Sequence, residues 1–223
     1  MSVFGIVLTG VNNIKNMAFT DKEITTLNTE FRTTAPSEIV YWALNNAKKA
    51  VVTTNFRPYE VTILHAVAAV KNTIPVIWCD TGYNTPNTYK HAEELIKKLE
   101  LNIDLYIPKQ TTSHRDAVMG IPQIGDPRHA IFTEQVKLEP FRRAMDTHKP
   151  DVWFTNLRKG QTAHRDALDV LSLSKDGVLK VSPFYHWDDA QLDGYLKEHE
   201  LPNEHKYFDP TKVLDNRECG LHT

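Results

Sequence analysis

Cysteine is scarce in this chain: 223 residues carry two, Cys79 and Cys219. Two thiols cannot build a disulfide scaffold, nor can one chain with two supply four thiolate ligands to a zinc or iron–sulfur site. They make the cytosol the expected compartment. Long apolar runs are also missing. The longest, near residues 63–70 and 74–79, are too short to span a bilayer. The apolar stretch within residues 1–11 has no basic flank, so no secretory signal peptide is expected. Charge of one sign is not in excess: 26 Lys+Arg stand against 28 Asp+Glu, a net charge of −2. That balance gives no overall reason to expect binding to nucleic acid or to an anionic membrane. Nine glycines and 12 prolines exclude a collagen-like or low-complexity chain. No G-x-x-x-x-G-K-[ST] or G-x-G-x-x-G occurs, which leaves P-loop NTPase and dinucleotide-binding readings without support. The ten histidines include no H-E-x-x-H, and no internal repeat or interdomain linker is visible.

What is present is enough to build a core: 41% of residues are hydrophobic and 9% aromatic. The length suits one large domain, or a domain with a tail. Residues 36–47 read as a helix opened by Pro36, with Ile39, Val40, Ala43 and Ala47 on one face. Residues 50–54 are β-branched and short, a strand; 58–70 is a helix again opened by Pro; 74–79 is a buried-type strand. Thr85 can cap a helix over 86–99, and 103–107 is a further strand. Residues 108–136 are weakly periodic and read as a long loop of the kind that is often functional. Helices over 139–148 and 188–198 and strands at 152–155 and 178–181 complete the pattern; residues 2–9 suggest a strand and 21–31 a short helix. Strands alternating with helices imply a central, mostly parallel sheet covered on both faces. Ligands of such sheets bind beyond the carboxyl ends of the strands.

Three of those ends are chemically suggestive. Thr53-Thr54-Asn55-Phe56-Arg57-Pro58 joins a strand to a helix, where backbone N–H groups and the helix dipole suit an anion; an ordinary well-capped turn has the same look. Asp80-Thr81-Gly82-Tyr83 offers hydrogen-bonding side chains, a glycine for close approach and a ring for stacking. Asp-Thr-Gly also marks aspartic proteases, but those need two such loops in an all-β fold. Asn156 to Arg165 brings Arg158, Lys159 and Arg165 together with Gln161, which suits a multiply charged anion or a solvated basic loop.

The thiols differ. Cys79 falls in a buried-type strand, where a thiol is usually an inert small hydrophobe. Cys219 lies in Arg217-Glu218-Cys219-Gly220-Leu221-His222, next to a glycine and between two groups able to stabilise a thiolate. Three readings are open on chemistry alone: a reactive nucleophile, an incidental thiol, or half of a Cys–His metal pair whose other ligands are not evident.

Taken together, these pieces resemble the phosphoadenylyl-sulfate (PAPS) reductases, from about Leu27 to the C-terminal residues. Glu218-Cys219-Gly220-Leu221-His222 matches that family's Glu-Cys-Gly-[Leu/Ile]-His signature, and Asp80-Thr81-Gly82-Tyr83 its nucleotide-contacting loop. Lys137-Leu138-Glu139-Pro140 is similar to its Lys-Val-Glu-Pro stretch. Leu157-Arg158-Lys159-Gly160-Gln161 with Arg165 is similar to its basic loop, and Trp187-Asp188 to the segment before the tail. The resemblance implies an adenine nucleotide α-hydrolase-like (PP-loop) fold over residues 31–208, a catalytic tail over 209–223 and usually a homodimer; residues 1–30 are an N-terminal segment outside it. It implies that Cys219 attacks PAPS, that reduced thioredoxin or glutaredoxin discharges the product, and that no cofactor or metal is bound. It places substrate at Thr53, Thr54, Asn55, Phe56, Arg57, Asp80, Thr81, Gly82, Tyr83, Lys137, Arg158, Lys159, Gln161, Arg165, Arg217 and His222. Related adenylyl-sulfate (APS) reductases hold a [4Fe–4S] cluster on Cys-Cys and Cys-x-x-Cys pairs; neither pair occurs here, which favours the cluster-free branch. Departures from the pattern are Arg57-Pro58 where the first loop usually has Gly, Lys159-Gly160 in the basic loop, and a short stretch between Pro202 and Arg217. Two other classes remain: a PP-loop enzyme that uses ATP, which wants the absent Ser-Gly-Gly-x-Asp-Ser, and a non-catalytic nucleotide-binding relative.

Overall fold

The largely β-branched run Ala50–Thr54 forms strand β1, buried except at half-buried Thr53, and its neighbours in space set the architecture. In the computed structural model, which describes residues 19–123 and 125–212, the chain runs α1 (Asp21–Phe31), α2 (Pro36–Asn46), β1, α3 (Glu60–Lys71), β2 (Pro75–Cys79), α4 (Pro86–Lys98) and β3 (Asn102–Tyr106). It continues through α5 (Thr112–Val118), α6 (Arg128–Thr133), a π-helical turn (Glu134–Leu138), α7 (Glu139–His148) and β4 (Val152–Phe154). Helix α8 (Ala163–Asp166), β5 (Leu171–Leu173), β6 (Leu179–Val181) and α9 (Asp189–Glu198) follow. The strand expected at residues 2–9 lies outside the described residues.

The six strands make one sheet in the order β3-β2-β1-β4-β6-β5. Every pairing is parallel except β5 with β6. Period-two alternation sends successive side chains to opposite faces. Val52, Val76, Trp78, Val152 and Phe154 pack against α2, α3 and α9 in the larger core. Val51, Ile77, Cys79 and Trp153 pack on the other face against Phe141, Ala144 and Met145 of α7. The α/β architecture with helices on both faces is the one the alternating pattern predicts. Among the described residues no helix is long and apolar enough to cross a membrane.

Local chemistry explains most boundaries. A capping box between Thr20 and Glu23 starts α1. Buried Asn28 on α1 both donates to the Leu171 carbonyl and accepts from the Leu171 N–H, pinning that helix to the edge strand β5. Thr85 caps α4 ahead of Pro86, as expected. Two expectations need correction. Helix α3 begins at Glu60 rather than at Pro58, because Tyr59 takes a left-handed conformation (φ 65°) that no α-helix accommodates. The stretch 108–136 is not a loop throughout: it holds α5, α6 and the start of the π-turn that runs into α7. These pieces are short, and the change from α to π spacing blurs the 3.6-residue period. Strand β5, three residues long and antiparallel, was not anticipated by the alternating pattern.

Candidate active site

The strand order reverses beside β1: β2 and β3 lie to one side, β4, β6 and β5 to the other. At such a switch point the loops leaving adjacent strands part and open a crevice at the carboxyl ends. Here a cleft lies between the turn after β1 and the loop after β4, with Ile77 and Cys79 of β2, Lys137 of the π-turn and Tyr207, Asp209 and Lys212 also on its walls.

The turn after β1 is organised by Glu60, a nearly buried carboxylate at the first position of α3. Its Oε2 accepts hydrogen bonds from Thr54 Oγ1 (2.9 Å), the Asn55 N–H (2.7 Å) and the Arg57 N–H (3.4 Å). Arg57 Nε donates to Oε1 at 2.7 Å, and Arg57 Nη2 to the Asn156 carbonyl at 3.1 Å. Phe56 holds φ 52°; its N–H donates to Thr54 Oγ1 and its buried ring meets Trp78 edge-on at 4.9 Å. Asn156 Nδ2 donates to the Tyr59 carbonyl, a second link between the two sides of the cleft. Thr53, at the end of β1, accepts from Trp153 Nε1.

Across the cleft, Arg165 is 2% exposed and its Nη1 donates to Gln161 Oε1 at 2.5 Å. Its backbone is fixed as well: the N–H donates to the Thr162 hydroxyl and the carbonyl accepts from Tyr185 OH. Gln161 also accepts from the Arg158 N–H, so it braces the loop rather than lining the cleft. Arg158 points away. Its Nη1 donates to exposed Asp189 at 2.6 Å, and its guanidinium lies 5.3 Å from the centre of the Tyr59 ring. Lys159 is exposed and outside the cleft wall.

Lys137 is buried, and its Nζ donates to Asp209 Oδ2 (2.5 Å) and Thr211 Oγ1 (3.2 Å). Burial alone would raise the Asp209 carboxyl; the Lys137 charge and hydrogen bonds from Lys137 and Thr211 outweigh it and hold it below its ordinary value. Asp80, Thr81, Gly82 and Tyr83 make a separate turn beyond β2. Asp80 accepts from the Gly82 N–H, Asn84 and Tyr89, and Tyr83 OH donates to Asp116. Gly82 has φ 79°, and a Cβ there would sit 2.3 Å from Thr112 Oγ1, so only glycine fits. The structure therefore brings Thr53, Thr54, Asn55, Arg57, Lys137 and Arg165 to one cleft and leaves Phe56 beneath it. Asp80 to Tyr83, Arg158, Lys159 and Gln161 are not on its walls. Arg217, Cys219 and His222 lie outside the described residues.

Cys79 sits on the cleft floor, 6% exposed; burial pushes its thiol up to about 12, against the smaller opposing pull of Lys137 and Arg143. A thiol so protonated is a poor nucleophile. Among the described residues no group of three or more His, Cys, Asp or Glu is placed to hold a metal ion. Sequence reasoning missed Glu60, Asn156, Asp209, Tyr207 and Lys212. Glu60 alone left a signal, an acid in the first turn of a helix three residues after an arginine. Asp209 pairs with a lysine 72 residues earlier and left none.

Residues 49–209, most of the chain and the whole of this cleft but Lys212, match the model of the phosphoadenosine phosphosulfate reductase domain. A phosphoadenosine 5′-phosphosulfate reductase of Vibrio atlanticus is 35% identical over 220 residues, covering 88% of this chain and 85% of that protein. This chain belongs to the phosphoadenosine phosphosulfate reductase family. The family's member in Synechocystis sp. is 33% identical over 193 residues, 85% of this chain and 77% of its own. The fold agrees: the crystal structure of PAPS reductase from Candida auris, a phosphate complex, superposes with a TM-score of 0.74 at 24% identity, over 84% of this chain and 90% of that one. Within the family frame, the cleft at the β1/β4 switch point is the candidate active site.

Proposed function

We propose that this chain reduces 3′-phosphoadenylyl sulfate to sulfite and adenosine 3′,5′-bisphosphate, with Cys219 as nucleophile and thioredoxin or glutaredoxin as electron donor. The Cys219 thiolate attacks the sulfuryl sulfur; a Cys–S–SO₃⁻ bond forms, the S–O bond to phosphate breaks, and the bisphosphate nucleotide leaves. A partner thiolate then attacks Cys219 Sγ and expels sulfite. The partner's second thiol resolves the mixed disulfide, so two electrons pass from the dithiol to sulfur. Arg165, on the cleft wall, would offset part of the charge of the polyanionic substrate and leaving group.

The observation that carries this reading is the contrast between the thiols. Cys79 is buried and protonated on the cleft floor, and the chain has one other cysteine, seven residues beyond cleft-lining Lys212. With no neighbouring cysteine to resolve the intermediate, the reductant must be a second protein. Reduced protein incubated with PAPS and no dithiol is expected to gain one sulfonate, mapped by peptide mass to Cys219, and to release it as sulfite when thioredoxin and its reductase are added. Cys219→Ser is expected to gain none while still binding adenosine 3′,5′-bisphosphate. Turnover without an external dithiol, or a sulfonate on another residue, would overturn the mechanism.

A further inference from the structure

A strand–turn–helix unit of this topology presents backbone N–H groups to an incoming anion. In this chain those groups are already taken. The Asn55 and Arg57 N–H groups and the Thr54 hydroxyl all donate to one oxygen of Glu60, and the Arg57 guanidinium donates to the other. Glu60 is 6% exposed and belongs to the helix the turn feeds, so this carboxylate is a fixed part of the fold. It stands where a ligand's phosphate would otherwise collect the same four donors.

The charge balance of the cleft points the same way. Among the described residues its walls carry Arg57, Lys137, Arg165 and Lys212 against Glu60 and Asp209, four cations to two carboxylates. Arg57 is spent on Glu60 and Lys137 on Asp209. A phosphosulfate anhydride ionises once on phosphorus and once on sulfur, whereas inorganic pyrophosphate and the triphosphate of ATP carry more charge in the same length. Each additional negative charge near the Glu60 carboxylate is repelled by it.

We propose that Glu60 is a specificity-determining residue: its carboxylate holds the anion place in the β1–α3 turn and turns away nucleoside triphosphates and pyrophosphate, leaving the cleft to a nucleotide whose anhydride group carries fewer charges. The nucleotide half of this statement rests on the function proposed above; the exclusion of polyphosphate does not.

The test is calorimetric. Wild type, Glu60→Ala and Glu60→Gln are titrated with inorganic pyrophosphate, ATP and adenosine 3′,5′-bisphosphate, each protein checked for folding by its thermal melt. Wild type is expected to bind the bisphosphate and to show at least tenfold weaker affinity for ATP and for pyrophosphate. Both variants are expected to raise the ratio of ATP to bisphosphate affinity at least tenfold and to bind pyrophosphate measurably. An unchanged ratio in a folded variant overturns the proposal and makes Glu60 a brace of the turn. Wild-type protein that binds pyrophosphate as tightly as the bisphosphate overturns it without recourse to any variant. Failure of wild type to bind the bisphosphate at all, with polyphosphate still excluded, counts against the proposed function and not against the role of Glu60.

Discussion

The two walls of the cleft use the same ingredients in opposite ways. The turn after β1 contains an arginine and brings its own carboxylate, so Arg57 and Glu60 close on each other at 2.7 Å. The loop after β4 contains a buried arginine whose guanidinium donates to a neutral amide, that of Gln161. Both loops follow neighbouring strands at the switch point, and as strings of residues both are polar, one with a single cation and the other with three. A loop's contribution to an anion site is therefore set by what its cations are paired with, more than by how many it has.

The largest effect is expected from removing the buried pair on the cleft wall. Lys137→Ala or Asp209→Ala leaves one buried charge without its partner and is expected to cost about 3–5 kcal/mol in urea unfolding, with the double change Lys137→Met/Asp209→Leu recovering much of that. A single change costing less than about 1 kcal/mol would show that the pair is not insulated from water as its 2% and 5% side-chain exposures require.

The next test ranks the arginines. Arg165→Ala is expected to weaken binding of adenosine 3′,5′-bisphosphate by about 1.5–3 kcal/mol, the worth of a hydrogen bond to a charged group. Arg57→Gly should lower affinity by less, because its charge is already offset by Glu60. Arg158→Ala should change it by under about 1 kcal/mol, since that side chain pairs with exposed Asp189. Calorimetry giving Arg57 a larger effect than Arg165 would reverse the assignment of the two walls.

The smallest effect is in acid. The Asp209 carboxyl is held below its ordinary value, so its contribution to stability is complete above about pH 4, the unfolded value. It is lost as pH falls through the lower folded value. Thermal melts of wild type between pH 5 and pH 2 should show this loss, and Asp209→Asn should lack that part of it.

These tests also mark what the sequence could and could not reveal. Strands such as 50–54 and 74–79 are legible because burial on both faces demands unbroken β-branched and apolar runs. The two cleft-forming loops are legible because parallel sheets bind ligands at strand ends. Residues 112–138 are not, since short helices and a π-turn break any fixed period. Nor is the Lys137–Asp209 pair, which joins residues far apart in the chain and leaves no spacing to detect. Arg158 and Arg165 were equivalent as letters; in the fold the first meets Asp189 and the second Gln161.

The strapping of Asp209 and Thr211 onto Lys137 also has a kinetic side. It fixes the chain at the cleft as far as Thr211, one residue before Lys212, and the seven residues from Lys212 to Cys219 set a reach of no more than about 25 Å at full extension. A thiol confined to that sphere meets a bound nucleotide at an effective concentration on the order of millimolar, whatever the protein's own concentration. In the proposed reaction sulfur transfer onto Cys219 is then a first-order event, indifferent to dilution. Only the visit of the dithiol protein remains second-order, and the supply of that partner sets the pace when it is scarce.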